Sequence, residues 1–216
     1  FPMFRSMWPF LDRTAEVLFV PKSWDKLRTI CRECATLQWY EQGFRRSITR
    51  VIEKYTTDKV VETPYGPSIK QVDHPLKRRI RLARPEQNRA LACQGSIDGL
   101  LCTIDLTDAS DSVSYSLVKR AFRKSVLLSV VYCCRTSSAY IPGEETPIHL
   151  EKFAPMGSAL CFPVMCIILC ALCEEAITMV AGEDAIQYSK YSVYGDDIVI
   201  EKKYLDALFS LLDQHG

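Results

Sequence analysis

Apolar residues recur along the chain at two spacings, one typical of helices and one typical of strands. Between Leu37 and Lys54 they return every three or four positions, which predicts a helix with arginines on its polar face. Two shorter apolar runs predict buried strands: one is Leu100–Leu106, and the other flanks Gly195 on both sides. The longest apolar run, Ala159–Cys173, is too short to span a bilayer and predicts a core helix.

Turn-forming residues connect these elements into an α+β order. The Pro-Tyr-Gly-Pro core of Thr63–Ser68 predicts a turn, and Pro85 interrupts the basic segment Leu76–Ala90. Three further elements are predicted, namely a helix that begins near Ser110–Ser114 and continues to Val131, a strand at Thr146–Phe153 and a helix at Tyr204–Leu212. This order predicts an α+β sheet with helices packed on one face.

Charge is divided unevenly along the chain, although the net charge is only +1. Residues 1–89 contain 18 Lys and Arg against 10 Asp and Glu, whereas residues 90–216 contain 9 against 16. Such a division suits a protein that holds a polyanion with one part and metal ions with the other. Two solvated surfaces that differ in charge would give the same pattern. With 48% hydrophobic and 25% charged residues, the composition excludes a disordered or fibrous chain.

The spacing of the ten cysteines argues against disulfide bonds. Cys133 and Cys134 are adjacent, and four more cysteines lie within the apolar run 159–173. We expect small buried thiols in a reducing compartment rather than a disulfide framework.

Five aspartates stand where predicted strands end or turn. Asp105 closes an apolar strand and is followed by Asp108 and Asp111, while Asp196 and Asp197 occupy the predicted hairpin turn. Helix capping would also account for Asp108 and Asp111, and turn geometry would account for the hairpin pair. If Asp105 meets the hairpin pair, cations must neutralise their repulsion, and hard oxygen ligands select Mg²⁺ or Mn²⁺. Two such ions about 3.5–4 Å apart are the apparatus of in-line nucleotidyl transfer.

The segments around these aspartates resemble the palm of RNA-dependent RNA polymerases. In chain order, "DLTDASDS", "APMGSALCFP" and "YGDD" look like motifs A, B and C of that palm. Val20–Glu33, which reads "VPKSWDKLRTICRE", resembles the basic motif F of the fingers. The combination is most similar to replicases of the positive-strand RNA bacteriophages (leviviruses), with narnavirus polymerases next. The resemblance covers most of residues 18–202.

This resemblance implies a right-hand polymerase arrangement, with an antiparallel palm sheet, part of the fingers and no thumb. Residues 1–89 are expected to form partial fingers with motif F, and residues 90–216 the palm with motifs A, B and C. A further fingers segment is expected as an insertion around 132–152. The chain stops at Gly216, about where the next palm motif and the thumb should begin. We therefore interpret it as a polymerase core fragment.

The family's site roles carry over where the motifs match. Catalysis and metal binding, with Mg²⁺ or Mn²⁺ as a substitute, are implied for Asp105, Asp196 and Asp197. Nucleoside triphosphate (NTP) binding is implied for Lys22, Arg28, Arg32, Ser110, Asp111, Gly157 and Ser158. Of these, the basic residues would neutralise the triphosphate, and Ser158 together with Ser110 or Asp111 would read the ribose 2′-hydroxyl. Contact with the RNA backbone is expected for Lys77, Arg78, Arg79 and Arg81, for which a solvated surface is the alternative.

Together these roles imply an RNA-dependent RNA polymerase that replicates a viral RNA genome by joining NTPs to an RNA 3′-hydroxyl. The expected partners are single-stranded RNA template, nascent RNA, NTPs and, by family analogy, host translation factors. The expected location is the cytoplasm of a bacterial host, with no membrane span.

Two other readings share parts of this pattern. A reverse transcriptase has the same palm and a Tyr-x-Asp-Asp hairpin, but the residues implied to read the 2′-hydroxyl argue against it. A degenerate RNA-binding remnant of a polymerase is disfavoured because these residues occur together: Asp105, Asp196, Asp197, Lys22 and Arg28.

Overall fold

A computed structural model describes residues 12–64 and 66–215, which form two compact units. The described part of the first unit comprises residues 12–45, 107–168 and 215. The second unit comprises residues 46–106 and 169–214. The predicted boundary between residues 89 and 90 falls inside the second unit, and the assignment of fingers and palm to parts of the chain stays a prediction.

The described residues form both helices and mostly antiparallel strand pairs, which confirms the predicted mixed α+β class. The strands are β1 (Thr14–Pro21), β2 (Leu27–Arg32), β3 (Thr56–Thr63), β4 (Gly66–Asp73), β5 (Leu101–Asp105), β6 (Ser138–Tyr140), β7 (Ile148–His149), β8 (Tyr191–Tyr194) and β9 (Asp197–Glu201). The helices are α1 (Ala35–Lys54), α2 (Glu86–Asp98), α3 (Ala109–Ser112), α4 (Tyr115–Ala121), α5 (Leu127–Cys134), α6 (Cys161–Ala181) and α7 (Leu205–His215).

The first unit contains a four-stranded sheet in the order β2-β1-β6-β7. Its strands β1 and β2 are antiparallel, whereas β1 and β6 run parallel. A small apolar cluster packs on this sheet and consists of Ala15, Val17, Cys31, Ala139 and Leu150. The pairing of β1 with β6 joins segments more than a hundred residues apart, so local sequence patterns alone did not predict these strands.

The second unit contains a three-stranded antiparallel sheet in the order β5-β9-β8. The central strand β9 buries Ile198, Val199 and Ile200, each at most 2% exposed. Helix α2 packs against all three strands. It begins after Pro85 and ends at Gly99, whose left-handed conformation stops the helix. The predicted strands around Gly195 and before Leu106 are therefore confirmed.

The second unit also contains a separate two-stranded hairpin, β3–β4, most of whose side chains are exposed. Thr63 pairs with Gly66 at its tip, which confirms the turn predicted at Thr63–Ser68. Tyr65 within that turn lies outside the described residues. The sequence pattern did not predict the two strands, because neither strand buries an apolar face.

The helices follow their apolar periodicity except where polar caps interrupt it. The predicted helix at 37–54 is confirmed as α1, which begins two residues earlier. The predicted start near Ser114 is confirmed, because Ser114 caps α4. The continuation of that helix to Val131 is wrong, because the Ser125 hydroxyl accepts the Leu127 amide before α5. The strand predicted at Thr146–Phe153 is reduced to the two residues of β7.

Helix α6 carries four of the expected buried cysteines as free thiols: Cys161, Cys166, Cys170 and Cys173. Its 21 residues are long and apolar enough to cross a membrane by length and composition. Buried core helices meet the same criterion, and 56% of its most apolar window is buried. Length and composition of this one helix are therefore weak evidence for a membrane span.

Arg79 secures the edge of the three-stranded sheet, and its removal tests that role. Its guanidinium donates to the carbonyl oxygens of Ser189 (2.8 Å) and Ile186 (2.5 Å) and lies 4.1 Å from the centre of the Tyr191 ring. We predict that Arg79→Ala lowers the free energy of unfolding by about 2–3 kcal/mol, because charged hydrogen bonds and a cation–π contact are lost.

Urea denaturation followed by circular dichroism measures this change. The neighbouring exposed Arg78→Ala is the matched control, and we expect it to change stability by less than about 0.5 kcal/mol. Equal effects of the two substitutions would contradict a structural role for the Arg79 side chain.

Candidate active site

Three aspartates meet at one end of the three-stranded sheet in the second unit. Asp105 is the last residue of β5 and is the direct pairing partner of Asp197, the first residue of β9. Asp196 precedes it in the turn, where its carbonyl oxygen accepts the Leu106 amide at 3.3 Å. All three side chains are exposed. The structure therefore brings together the three residues predicted for catalysis.

Burial of the flanking strands fixes the register that creates this arrangement. Tyr191 and Val193 of β8 and Ile198 of β9 are at most 1% exposed. Close packing of consecutive buried residues on both faces of these strands opposes a shift of one residue, so the register is strongly specified. The buried Asn88 side chain of α2 adds a hydrogen bond of 2.9 Å to the Asp197 carbonyl oxygen. Gly195 supplies the left-handed turn, with φ of 64°.

The negative charge of this cluster is not compensated by side chains in the described part of the chain. Partial burial raises the pKa of Asp197, and the charges of Asp196 and Asp105 raise it further. Among the described residues, no Lys or Arg forms an ion pair with these three aspartates. No group of three His, Cys, Asp or Glu side chains in residues 12–64 and 66–215 is arranged to hold a metal ion. The carboxylates are adjacent and uncompensated, but they do not form a closed ligand set.

The basic residues predicted for motif F lie on the β1–β2 hairpin of the first unit. Lys22 stands in the turn, where its amide donates to the Lys26 carbonyl oxygen at 2.9 Å. Arg28 and Arg32 share one face of β2, because they are four residues apart in a strand. Arg32 forms an ion pair with Glu16 on β1. All three predicted residues are exposed.

Ser110 and Asp111 of motif A lie in the short helix α3. Asp108 precedes this helix in a left-handed conformation, with φ of 53°. The Asp111 carboxylate forms an ion pair of 2.5 Å with Lys152, a residue that sequence reasoning did not single out. In the sequence, the only indication of a role for Lys152 is its positive charge shortly before the "APMGSALCFP" segment.

Gly157 is held against the backbone of strand β2. The Cys31 amide donates to the carbonyl oxygen of Met156 at 2.7 Å. A Cβ atom at Gly157 would collide with the Cys31 carbonyl oxygen, and the glycine has φ of 126°, which other residues rarely adopt. Only glycine fits so close to the Cys31 backbone. Within the first unit, the start of motif B is therefore hydrogen-bonded to and packed against the strand that carries motif F.

Ser158 is buried and bonded to Glu41, an acid that sequence reasoning missed. The Ser158 hydroxyl lies 2.9 Å from both Glu41 carboxyl oxygens, and the Ala159 amide donates to Glu41 at 2.7 Å. Burial, followed by the neighbouring charge of Glu33, raises the pKa of Glu41 to about 9. The signal was present in the helical spacing, because Glu41 stands on the same face as Leu37 and Ile48.

The residues predicted for RNA contact have different surroundings in the second unit. Lys77 forms an ion pair of 2.5 Å with Asp73, and the Arg79 guanidinium is engaged by carbonyl oxygens of the protein. Arg78 is exposed and Arg81 is half-buried. RNA contact by these four residues stays a prediction, with Arg78 the most accessible.

Comparison with known proteins decides the family. The family model described as "RNA replicase, beta-chain" matches residues 73–216. The chain belongs to the RNA replicase beta-chain family. The matched region contains all three aspartates and the motif-B residues, whereas the motif-F residues precede it.

Curated proteins that are similar to this chain come from phages. It is 33% identical over 129 residues to the RNA-directed RNA polymerase beta chain of Escherichia phage MS2, covering 60% of this chain and 22% of that protein. It is 27% identical over 202 residues to the RNA-directed RNA polymerase subunit beta of Enterobacteria phage SP. This match covers 82% of this chain and 34% of that protein. The chain thus spans about a fifth to a third of the length of such relatives.

A solved structure shares the fold at low sequence identity. It is described as apo telomerase from Candida Tropicalis truncated from its C-terminal domain. The TM-score is 0.50 at 10% identity, over 92% of this chain and 46% of that one. At this identity the likeness concerns the fold alone.

Substitution of Gly157 tests the close approach of motif B to β2. We predict that Gly157→Ala lowers the free energy of unfolding by roughly 2–4 kcal/mol, because it combines a backbone clash with a strained φ. The matched control is Gly43→Ala in helix α1, where a Cβ meets nothing within 4 Å. There we expect stabilisation of about 0.5–1 kcal/mol from helix propensity. Thermal or urea unfolding measures both, and an unchanged stability of Gly157→Ala would refute the proposed contact.

The buried acid Glu41 should make stability depend on pH. Its pKa in the folded chain, about 9, exceeds its ordinary value of 4.5, so the folded state binds the extra proton. Stability from this group is complete below the ordinary pKa and is lost as pH rises toward the folded pKa. We predict that the free energy of unfolding falls between about pH 4.5 and 9 and that Glu41→Gln reduces this slope.

Urea unfolding at a series of pH values measures the slope. Burial also raises the pKa of Glu33 and of the Cys134 and Cys161 thiols. These three groups are retained in every variant, so they contribute equally to each slope. The control is Glu145→Gln at an exposed position, which should leave the slope unchanged. An identical slope in wild type and Glu41→Gln would show that Glu41 is ionised in the folded chain.

Proposed function

We propose that the chain is the core of an RNA-dependent RNA polymerase that replicates a viral RNA genome. The reaction is attack of an RNA 3′-hydroxyl on the α-phosphorus of an NTP, with pyrophosphate as the leaving group. The observation that carries this proposal is the pairing of Asp105 with Asp197, beside Asp196, in a chain of the replicase family. The relatives are named RNA-directed RNA polymerases, which favours RNA synthesis over the reverse-transcriptase alternative.

The donor chemistry of the three aspartates fits a hard divalent cation. Their side chains are exposed, adjacent and without an ion-pair partner among the described residues. Partial burial, together with the charges of Asp196 and Asp105, raises the pKa of Asp197. Asp105 and Asp196 would be the main ligands of Mg²⁺, or of Mn²⁺ as a substitute, with Asp197 a weaker one. When bound, two such ions would supply activation of the 3′-hydroxyl and stabilisation of the leaving pyrophosphate.

Residues of the first unit would bind and select the incoming nucleotide. The exposed side chains of Lys22, Arg28 and Arg32 would neutralise the triphosphate, with the two arginines suited to bidentate contacts. Ser110 or Asp111 in α3, together with Ser158, would read the ribose 2′-hydroxyl. Lys152 holds the Asp111 carboxylate and would limit its orientations.

The remaining parts of the proposal concern partners and location. A single-stranded RNA template and the nascent RNA would contact the basic segment that includes Arg78 and Arg81. Relatives from bacteriophages support a site of action in the cytoplasm of a bacterial host. Host translation factors are proposed as protein partners by family analogy alone.

Substitution of Asp196 tests the proposed reaction. We predict that Asp196→Asn reduces Mg²⁺-dependent incorporation of NTPs at least about a hundredfold, because several kcal/mol of charge stabilisation would be lost. Circular dichroism should show an intact fold, since the Asp196 side chain is exposed. Template-directed incorporation of radiolabelled NTPs by the purified protein measures the effect.

The control is Asp206→Asn, an exposed aspartate in the first turn of α7. It removes one negative charge from the same unit without changing Asp105, Asp196 or Asp197. Normal incorporation by Asp196→Asn would overturn the assignment of the reaction to this cluster.

A further inference from the structure

Glu41 is the most completely buried acid in the described part of the chain, and it is bonded to the start of motif B. It lies in the second turn of helix α1 with 0% of its surface exposed. Its carboxyl group contacts the Ser158 hydroxyl and the Ala159 amide, at 2.9 and 2.7 Å. A buried carboxyl group is costly unless it is hydrogen-bonded, so these contacts define where the Ser158–Ala159 backbone can lie.

A second acid, Glu33, completes the network from the end of strand β2. The Glu41 carboxyl group is hydrogen-bonded to that of Glu33. Glu33 also accepts hydrogen bonds from the Thr136 hydroxyl and from the Gln38 side-chain amide, the latter at 2.6 Å. The same Gln38 amide donates to the Gly157 carbonyl oxygen at 2.8 Å. Two buried carboxyl groups in contact share one proton rather than carry two negative charges.

The hydrogen bonds of this network determine which donor and acceptor sites of the Ser158 hydroxyl stay available to a ligand. A serine hydroxyl has one donor hydrogen and two acceptor lone pairs. The hydrogen is committed to Glu41, and one lone pair accepts the Leu160 amide at 3.3 Å. With respect to the described residues, the remaining capacity of the Ser158 hydroxyl is a single acceptor. A ribose 2′-hydroxyl can donate to that acceptor, whereas a deoxyribose has no group to do so.

We propose that Glu41 is a positioning residue for nucleotide selection. Its carboxyl group orients the Ser158 hydroxyl as an acceptor and fixes the Gly157–Ser158 segment, so that the segment prefers ribonucleotides to deoxyribonucleotides. This inference rests on the proposed function, which assigns Gly157 and Ser158 to the incoming NTP. Glu41 acts through Ser158 and does not itself touch the substrate.

Three variants separate this role from a purely structural one. Glu41→Gln keeps an acceptor for Ser158 and Ala159 and a donor for Glu33, so it preserves the network without an ionisable group. Glu41→Ala removes the contacts and leaves a cavity. Ser158→Ala removes the hydroxyl group but leaves Glu41 with Glu33 and the Ala159 amide.

The first measurement is amide hydrogen exchange of residues 157–160, which needs no enzymatic activity. We expect exchange at least about tenfold faster in Glu41→Ala, as for the loss of one buried hydrogen bond, and near wild-type exchange in Glu41→Gln. Wild-type exchange in Glu41→Ala would overturn the positioning role, whatever the protein catalyses. The proposed function is tested separately by Asp196→Asn, so the two failures are distinguishable.

The second measurement is the ratio of kcat/KM for an NTP to that for the matching dNTP. We expect this ratio to fall about tenfold in both Ser158→Ala and Glu41→Ala, through a higher KM for the NTP, and to stay near wild type in Glu41→Gln. The double variant should fall no further than either single variant, because both remove the same interaction.

An unchanged ratio in Ser158→Ala would overturn the proposal, and this variant removes only one buried hydroxyl group, so the test stands even if Glu41→Ala does not fold. Equal losses for NTP and dNTP in Glu41→Ala would also overturn it, because they would show a structural role without selection. Glu41→Gln preserves the hydrogen bonds and removes only the ionisable group. A reduced NTP-to-dNTP ratio in this variant would therefore contradict the proposal that the hydrogen bonds, and not the charge, position Ser158.

Discussion

The pairing of β5 with β9 is the constraint on which the candidate active site depends. It places Asp105 directly opposite Asp197, although like charges opposite each other destabilise a strand pair. The buried side chains of Ile198, Val199 and Ile200 favour this register and offset the repulsion. The aspartates therefore remain adjacent and exposed, and none of them has an ion-pair partner among the described residues. A cation is the simplest chemical means of neutralising such a cluster.

The first unit holds its own candidate residues by a different physical means. There, buried polar groups act beside the apolar cluster of the sheet in fixing the chain. Gly157 approaches the Cys31 backbone so closely that no side chain fits, and Glu41 binds Ser158 and Ala159 from the protein interior. Fully satisfied buried networks of this kind specify one conformation, whereas partly satisfied ones destabilise the fold. The segment proposed to bind the nucleotide is thus joined to the strand that carries Arg28 and Arg32.

Sequence reasoning succeeded where a local pattern determines the structure. The hairpin around Gly195 and the strand that ends at Asp105 follow from short apolar runs and a turn residue, and helix α1 follows from its periodicity. Strands β1 and β2 were missed, because β1 owes part of its pairing to the distant β6. The long helix predicted through Val131 was interrupted by Ser125, whose hydroxyl competes for backbone amides. The role of Arg79 and the burial of Glu41 depend on tertiary contacts that one sequence does not reveal.

The central proposal is that Asp105, Asp196 and Asp197 would together bind a divalent cation that supports nucleotidyl transfer. Binding of Mn²⁺ to the purified protein, followed by electron paramagnetic resonance, tests this claim without requiring RNA synthesis. The account predicts that the wild-type protein binds Mn²⁺ and that Asp105→Asn weakens binding at least about tenfold, since loss of even an outer-shell partner has that effect. Equal Mn²⁺ affinity and stoichiometry in the wild type and Asp105→Asn would contradict it.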